Sequence, residues 1–439
     1  MTDAFAPQPP VRVATPAWAH DGAIYQINLR QFTADGTLRA AQAHLPRLAA
    51  FGATILWLMP IHPIGQKNRK GRLGSPYAVR DYVAVSDEFG TLGDLRDFVA
   101  EAHRLGMKVI LDWVANHTAP DHVWAKAHPD WYRRDSDGQM RATPWWDWDD
   151  IVDLDYTRPA LRRAMAEAMR FWVDEADVDG FRCDVAGYVP LDFWAQARRH
   201  LEAVKPVLLL AEWEDRDLHA DAFDASYAWT WEQAIHRIAR GEATADALRL
   251  FYAWNTSAWP REALRMTFAT NHDKNAWDGT PYGLLGPVYD AAIALSCVGA
   301  GIPLVYNGQE IGLDRRLPFF DRAPLVWPGD ADPEHPHGAL YRRLLALRRA
   351  TTALHAGAAG APMQRVPTDG EPHVLAFVRQ NDAAKVLAVF NFSAAPRRVV
   401  LTGPFVIGAY GDAITGETVL LADGDTLDLP AWGYCVLVT

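Results

Sequence analysis

Eight short apolar segments recur along the chain, with helical stretches or long loops between them. Buried parallel strands read as continuous apolar runs, and strands that alternate with helices imply repeated strand–helix–strand units. The segments are Ala23–Leu29, Ala53–Met59, Met107–Trp113, Val178–Cys183, Val207–Ala211, Phe223–Trp229, Met266–Thr270 and Ile302–Tyr306. The clearest helical patterns are Leu92–Leu105, Arg158–Glu175 and Leu340–Arg349. The alternation predicts an α/β fold, a (β/α)8 TIM barrel. A doubly wound open sheet is the alternative, but no G-x-G-x-x-G follows the first strand.

Two further regions are predicted outside the barrel. The third and fourth strands are separated by a long gap, which leaves room for a small insertion domain at 114–156, rich in Trp and Asp. From residue 355 the pattern changes to period-two alternation with turns, which predicts a C-terminal antiparallel β-sandwich at 355–439. The barrel then comprises residues 1–113 and 157–354. Because the insertion follows a strand, it should emerge at the carboxyl-terminal face of the barrel, where active sites lie.

Charge and composition exclude several classes of partner. The chain has 439 residues and a net charge of −11, which disfavours nucleic acid and anionic membranes as partners. A short basic cluster at 67–72 lies among Gly and Asn, and we interpret it as a solvated loop. The first 16 residues lack the basic start and apolar core of a secretion signal, which predicts a cytoplasmic protein. Three widely spaced cysteines indicate neither a disulfide framework nor a zinc finger.

Carboxylates collect where the predicted strands end. Asp112, Asp184, Glu212 and Asp273 each end or follow a strand, and His117 and His272 lie nearby; together these positions form a candidate catalytic ring. A barrel brings the ends of different strands together around one axis. Each acid alone could be a helix N-cap. Four at matching strand ends favour a pair of carboxyl groups of the kind that retaining glycoside cleavage uses.

Seven short motifs carry a family resemblance. Four are DWVANH at Asp112–His117, GFRCDV at Gly180–Val185, AEW at Ala211–Trp213 and TNHD at Thr270–Asp273. The others are FGATILWLMPI at Phe51–Ile61, SPYAVRDY at Ser75–Tyr82 and GIPLVYNGQE at Gly301–Glu310. Because they occur in the right order and mostly near strand ends, the chain resembles glycoside hydrolase family 13, the α-amylase family, over nearly its full length.

The resemblance implies a role for each matched residue. Asp184 would be the nucleophile, Glu212 the general acid/base, and Asp273 the group that holds sugar hydroxyls and favours an oxocarbenium-like ring. Arg182 would keep the nucleophile ionised. The implied substrate-binding set comprises Tyr77, as a platform under the cleaved sugar, His117 and His272, which bind sugar hydroxyls, Arg182, and the supporting acids Asp112 and Asp81.

Three positions depart from the family pattern. Many members carry a basic residue and a His three and four positions after the nucleophile, which serve the acceptor side and a calcium ion, but this chain has Gly187 and Tyr188. No cofactor is implied as required, although Asn116 and the acids of the insertion could supply oxygen ligands to calcium. Exo-acting α-glucosidases of the family tend to place an Asp where this chain has Gly74, which predicts an open donor side.

The leading hypothesis is therefore a retaining hydrolase of α-1,4-linked glucans or maltooligosaccharides. A transglycosylase, an α-glucosidase or a glucoside isomerase on the same scaffold would share the first half-reaction. A non-catalytic binding barrel is a remote alternative, since a binding module has no need of Asp184, Glu212 and Asp273 together. The sequence leaves the acceptor, the preferred chain length and the oligomeric state open.

Overall fold

A computed structural model describes residues 11, 13–329 and 333–439; most of the N-terminal stretch on which the prediction of localisation rests lies outside this range. Eight parallel strands form a closed barrel, and each strand pairs with the next in sequence until the last pairs with the first. The predicted (β/α)8 barrel is confirmed. Its strands are β1 (Ile24–Ile27), β2 (Ile55–Leu58), β3 (Lys108–Trp113), β4 (Gly180–Cys183), β5 (Leu208–Ala211), β6 (Ala225–Tyr227), β7 (Leu264–Phe268) and β8 (Ile302–Tyr306).

The helices surround the barrel, and several short ones lie in its loops. They are α1 (Leu29–Phe32), α2 (Leu38–Gln42), α3 (Leu45–Phe51), α4 (Leu92–Arg104), α5 (Val123–Ala127), α6 (Pro159–Ala176), α7 (Leu191–Glu202), α8 (Trp229–Ala239), α9 (Asp246–Ala258), α10 (Pro281–Leu285), α11 (Tyr289–Val298) and α12 (Pro336–Ala350). Thr91 begins α4 with a capping box, in which its hydroxyl accepts from the Asp94 amide and Asp94 accepts from Thr91. No helix in the part of the chain described is both long and apolar enough to cross a membrane.

The strand residues divide between two apolar cores. Side chains that point into the barrel, such as Ile24, Trp57 and Met266, form a closed interior cluster. Their neighbours along each strand, such as Tyr25 and Leu56, pack outward against the helices. Because both faces of every strand are buried, the strands read as unbroken apolar runs rather than as an alternating pattern.

One strand lies two residues earlier than its sequence predicts. The apolar run Met266–Thr270 predicts β7, but the strand covers Leu264–Phe268. The sequence does not indicate the first two residues of β7, because the charged Arg265 argues against a buried strand. Its guanidinium is nevertheless buried, 3.4 Å from the Trp259 ring centroid and bonded to Glu214. The shift moves residues 269 and 270 out of the sheet and into the loop that carries His272 and Asp273.

Residues 114–156 contain little regular structure. His117–Thr118 pairs with Val152–Asp153 as a short antiparallel ribbon, and α5 lies between these strands. Five Trp residues occur here, and two of them are strongly exposed. We propose that 114–156 be treated as the insertion domain, with the barrel at 1–113 and 157–354.

The C-terminal part forms antiparallel sheets, as predicted. Its strands are β9 (Met363–Arg365), β10 (Val374–Gln380), β11 (Lys385–Asn391), β12 (Arg397–Val400), β13 (Gly408–Asp412), β14 (Thr418–Leu421), β15 (Thr426–Leu429) and β16 (Tyr434–Val438). Six form one sheet, and β12 pairs with β15 against it. Arg379 joins this sheet to the barrel, donating to the carbonyls of Gly299, Leu354 and His355 at 2.8, 3.2 and 2.7 Å. We propose the boundary of this domain at 355.

Candidate active site

The strand register brings the predicted site residues to one end of the barrel. Asp112 in β3 is the direct neighbour of Arg182 in β4, and Cys183 in β4 is the neighbour of Ala211 in β5. Asp184 and Glu212, each one residue further, therefore leave adjacent strands side by side. The loop after β7 carries His272 and Asp273 to the same rim. All strands being parallel, these residues share one face of the molecule.

Arg182 is the centre of this arrangement. Its guanidinium is fully buried and donates from Nη1 to Asp112 Oδ1 at 2.8 Å and to Asp184 Oδ1 at 2.9 Å. Its Nε donates to the Tyr227 hydroxyl at 3.3 Å. A buried charge is costly unless it is paired and hydrogen-bonded, so Arg182 and its carboxylates form one unit.

Glu212 meets the same guanidinium in a poorer geometry. Its Oε1 lies 2.8 Å from Arg182 Nη2, but that nitrogen has no aligned hydrogen-bond partner. Its Oε2 accepts from the Val185 amide at 2.7 Å. Burial raises the pKa of Glu212, and the Arg182 charge opposes the rise while the Asp184 and Asp273 charges add to it. Glu212 thus tends to hold a proton at neutral pH.

Of the two carboxyl groups, Asp184 and Glu212, it is Asp184 whose ionised form Arg182 stabilises more. Burial raises its pKa too, with Arg182 the largest opposing influence. The two carboxyl groups differ in how they are aligned with Arg182. Arg182 donates a hydrogen bond to Asp184, whereas its Nη2 lies close to Glu212 without forming one. Charge-assisted hydrogen bonds are roughly twice as strong as neutral ones. When the two carboxyls share one proton, we therefore assign the proton to Glu212 and the charge to Asp184.

The backbone at Val185, directly after Asp184, is strained. Val185 has φ +36°, a left-handed conformation that a β-branched residue rarely adopts. Its amide is the group that donates to Glu212. Strain of this kind persists only where the surroundings impose it, and it concentrates at functional sites.

Tyr77 and His272 form a second pair in the cavity. The Tyr77 hydroxyl donates to Asp112 Oδ2 at 3.0 Å and therefore accepts from His272 Nε2, 2.7 Å away. The Gln26 side-chain amide lies 2.7 Å from His272 Nδ1 and donates to it. Burial lowers the pKa of His272 to about 4, so the ring is neutral, with its proton on Nε2. That nitrogen also lies 3.2 Å from Asp273 Oδ2.

Six of the predicted residues line one cavity of about 930 Å³. Its walls include Asp184, Glu212, Asp273, Tyr77, His117 and His272. Burial lowers the pKa of His117 to about 4, so this ring is neutral as well. Trp146 and Trp148 stack in the wall with ring centroids 5.3 Å apart, and the Trp148 centroid lies 5.8 Å from that of His117. Neutral imidazoles and aromatic faces beside carboxylates suit a polyhydroxylated ligand with apolar ring faces.

Three predicted substrate-binding residues do not reach this cavity. Arg182 and Asp112 are inaccessible to solvent and hence to a sugar, so they act by holding their neighbours. Asp112 accepts from Arg182, Tyr77 and the Trp57 indole, and burial raises its pKa to about 6. Asp81 lines a different cavity, and its carboxylate accepts from the Val83 amide. The structure does not bring Asp81 together with the others.

The insertion does not present a set of ligands that fits calcium. Asn116 directs its amide nitrogen to the Thr143 hydroxyl at 3.2 Å, and Thr143 in turn donates to Asp153 at 2.5 Å. The nearby acids at 147–150 have the Lys70 ammonium among them. Among the residues described, no cluster of three or more His, Cys, Asp or Glu is arranged to hold a metal ion. Calcium normally takes 6–8 oxygen ligands.

We therefore expect a chelator to leave the protein unaffected. Incubation with EDTA should change neither the initial rate on maltooligosaccharides nor the melting temperature, because Lys70 already pairs with the acids at 147–150 and Thr143 occupies Asp153. Differential scanning fluorimetry with and without added calcium measures this directly. A fall of several degrees that calcium alone reverses would mean that Asn116 and the neighbouring acids do bind the ion.

Sequence reasoning missed several residues that shape the site. Gln26 orients His272. The sequence could have indicated this, because Gln26 is the one polar residue in the apolar segment of β1. Lys70 lines the cavity although its cluster appeared to be a solvated loop. Phe319 stacks on Tyr77 with ring centroids 5.9 Å apart, and nothing in its local sequence indicates this. Val185 contributes through its backbone amide and its left-handed conformation, which the sequence does not reveal.

Comparisons with known proteins agree with this geometry. The family profile for the alpha amylase catalytic domain matches residues 20–323. A crystal structure of a noncanonic maltogenic alpha-amylase from Thermotoga neapolitana is 32% identical, with a TM-score of 0.86, and the match covers 95% of this chain and 98% of that one. An alpha-amylase of Haloarcula japonica is 29% identical over 94% of this chain and 63% of its own length.

A transferase is among the relatives too. An alpha-1,4-glucan:maltose-1-phosphate maltosyltransferase of Bifidobacterium longum is 29% identical over 79% of this chain. The match spans 48% of that protein, so about half of the transferase has no counterpart here. The barrel, the ordered motifs and the matched profile lead to one assignment. The chain belongs to glycoside hydrolase family 13, the α-amylase family, and is an amylase-type enzyme.

Proposed function

We propose that the protein hydrolyses α-1,4-glucosidic bonds of maltooligosaccharides or starch-type glucans with retention of anomeric configuration. One observation carries this proposal: Asp184 and Glu212 leave adjacent strands into the same cavity and share one buried arginine, which is aligned with the first and not with the second. Such an asymmetry gives two neighbouring carboxyl groups different protonation states, as a nucleophile and a general acid require.

In the first half-reaction, ionised Asp184 attacks the anomeric carbon of the donor sugar while Glu212 gives its proton to the leaving glycosidic oxygen. The C1–O bond to the leaving sugar breaks as the bond from C1 to the Asp184 oxygen forms. Arg182 disperses the charge of Asp184 before attack. Asp273 lies with its carboxylate in the cavity wall, where it can hold the donor hydroxyls as the ring flattens.

In the second half-reaction, Glu212 is ionised and takes a proton from water, which attacks C1 and releases Asp184. Two displacements restore the original configuration. Glu212 must begin protonated and Asp184 ionised, so activity should fall as pH rises through the raised pKa of Glu212. It should also fall as pH drops through that of Asp184, giving a bell-shaped profile.

The donor sugar is best accommodated between Tyr77, His272 and His117. Tyr77 presents an aromatic ring, and the neutral His117 imidazole can exchange hydrogen bonds with sugar hydroxyls. His272, whose Nδ1 accepts from Gln26, can offer only its Nε2–H. The Thermotoga relative is described as a maltogenic alpha-amylase, and other relatives carry names that refer to α-glucans. These names support an α-glucan as the substrate class.

Transfer to a sugar acceptor is the second candidate, favoured by an aromatic cluster beside Glu212. A methyl group at Gly187 would overlap the indole ring of Trp213, so this ring packs on the glycine backbone. Trp213 lies 5.3 Å from the Tyr188 ring, and the Trp146 indole donates to the Tyr188 hydroxyl at 2.9 Å. Aromatic faces bind sugar rings, and a bound sugar could replace water in the second step.

Early products from maltoheptaose test the proposal. Proton NMR at short times should show the α-anomer of the newly formed reducing end, and chromatography should show products shorter than the substrate. Products longer than maltoheptaose that grow with substrate concentration would favour transfer. The β-anomer appearing first, or no turnover of any α-1,4-glucan, would contradict the proposed function.

A further inference from the structure

Residues 65–74, called here the bridge segment, attach to the insertion at one end. The Gln66 amide donates to Asp121 Oδ2 at 2.9 Å, and the Asn68 side chain donates to the carbonyl of Asp149 at 2.9 Å. At Gly65, a methyl group would overlap the Ala119 side chain, so the backbone lies directly on the insertion. This end of the bridge segment is held by contacts on both its backbone and its side chains.

The other end of the bridge segment attaches to the loop that follows β8. The Leu73 amide donates to the carbonyl of Phe320 at 3.2 Å, and Arg72 Nε lies 3.4 Å from Asp321 Oδ1. Gly71 has φ +61°, and a Cβ there would come within 2.5 Å of Phe320 Cβ. The bridge segment therefore connects two walls of the cavity that come from distant parts of the chain.

Lys70 is the member of the bridge segment whose charge lies at the cavity. Its ammonium donates to the carbonyl of Asp147 and lies 3.8, 3.3 and 3.9 Å from carboxylate oxygens of Asp147, Asp149 and Asp150. Its side chain is only 23% exposed and lines the cavity together with Asp147, Asp150 and Phe320. The prediction of a solvated basic loop is thus wrong at this residue, because the insertion supplies the counter-charges.

This wall lies on the side of the cavity that would hold the donor. Phe319 stacks on Tyr77, and its ring centroid lies 6.1 Å from that of His272, both residues of the proposed donor site. The proposed acceptor side lies at Trp213, which follows Glu212 directly and contacts Tyr188; the Trp146 indole joins that cluster to the insertion by its hydrogen bond to the Tyr188 hydroxyl. A chain that extends beyond the donor sugar would thus run toward Lys70 and Phe320.

Gly74 does not line the cavity, so the predicted open donor side does not follow from this residue and stays a prediction. Its φ is +82°, and a Cβ at this position would come within 2.8 Å of Ile64 and 3.1 Å of Arg69. A side chain here would therefore point at the interior of the loop. Its carbonyl accepts from Arg30 Nη1 at 2.9 Å.

We propose that Lys70, clamped by the acids at 147–150, closes the donor end of the cavity and thereby restricts cleavage to short units at the non-reducing end of the chain. This inference rests on the proposed function and makes Lys70 a specificity-determining residue. The clamp is ionic and partly exposed, so it can be released by removing one charge. The polar backbone contacts of the bridge segment would remain in place.

A substrate with a blocked non-reducing end tests the clamp. We would compare p-nitrophenyl maltoheptaoside with its 4,6-O-ethylidene derivative, whose bulky terminus cannot enter a closed donor site. The wild type should discriminate against the blocked substrate in kcat/KM. In Lys70→Met that discrimination should fall by about tenfold or more, the scale of steric discrimination in a binding pocket, and first products from maltoheptaose should lengthen.

The control variants separate charge from folding. Lys67→Met removes the same charge from an exposed position in the same segment and should leave the discrimination unchanged. Lys70→Arg keeps the charge and should retain most of it, and melting temperatures report folding in each case. Equal rates on blocked and unblocked substrates in the wild type, or an unchanged ratio in Lys70→Met, would overturn the proposal. Absence of turnover on every α-glucan would instead refute the proposed function.

Discussion

Asp184→Asn and Glu212→Gln are each expected to lower kcat/KM on maltoheptaose by at least about 10²–10⁴-fold while leaving the fold intact. Asn at 184 cannot form the covalent bond to C1, and Gln at 212 cannot give a proton to the leaving oxygen. Both changes are nearly isosteric, and each replaces a carboxyl whose pKa burial has raised. Asn at 184 removes a charge that is costly to bury, and Gln at 212 replaces a carboxyl that holds its proton, so neither change should unfold the barrel.

The comparison variant for this prediction is Asp217→Asn. Asp217 lies five residues after Glu212 on the same side of the barrel, and its side chain is about half exposed. It should retain wild-type activity and an unchanged melting temperature. Near wild-type turnover by either Asp184→Asn or Glu212→Gln would remove the basis of the proposed mechanism.

Arg182→Met is expected to have the second largest effect, and it should act on both stability and pH dependence. The substitution leaves Asp112 and Asp184 without the guanidinium that each uses at 2.8–2.9 Å. Breaking a buried ion pair by removing one partner costs about 3–5 kcal/mol. The midpoint of urea unfolding should therefore fall clearly at neutral pH.

The pH profile separates the electrostatic role of Arg182 from its structural role. Arg182 lowers the pKa of Asp184, so its loss raises that pKa further and reduces the ionised fraction at any given pH. The acid limb of kcat/KM should then move to higher pH. Arg182→Lys keeps a charge without the forked geometry and should move the limb less.

A second buried arginine provides the matched control. Arg348 is fully buried but donates only to backbone carbonyls, those of Gly22, Cys297 and Gly301. Arg348→Met should destabilise the protein and leave the acid limb in place. If Arg182→Met lost stability with no movement of the acid limb, Arg182 would have no part in setting the ionisation of Asp184.

The barrel was predictable because its strands are buried on both faces. Seven of the eight strands lie within the apolar runs that indicate them, and only β7 is displaced. The local pattern failed there because the counter-charge of Arg265 comes from Glu214, which is distant in sequence. In the C-terminal sheets, β9, β13 and β14 are harder to recognise from sequence, because β9 has only three residues, β13 contains two glycines and Leu420 in β14 is exposed.

The site could be predicted as a set of residues but not as a geometry. Motif order indicated Asp184, Glu212 and Asp273, whereas the unequal alignment of Arg182 with the first two depends on side-chain direction. Lys70 could not be recognised, because its partners are supplied by an insertion about eighty residues away. Distinctions of this kind depend on tertiary contacts that no local pattern encodes.

The proposed mechanism requires a covalent bond between Asp184 and the donor sugar, and this intermediate can be trapped. A 5-fluoro-α-glycosyl fluoride slows the second displacement, so the glycosyl-enzyme should accumulate and can be digested for mass spectrometry. We expect inactivation, with the added sugar mass on the peptide that contains Asp184. A label on Glu212 or Asp273, or inactivation with no added mass, would contradict it.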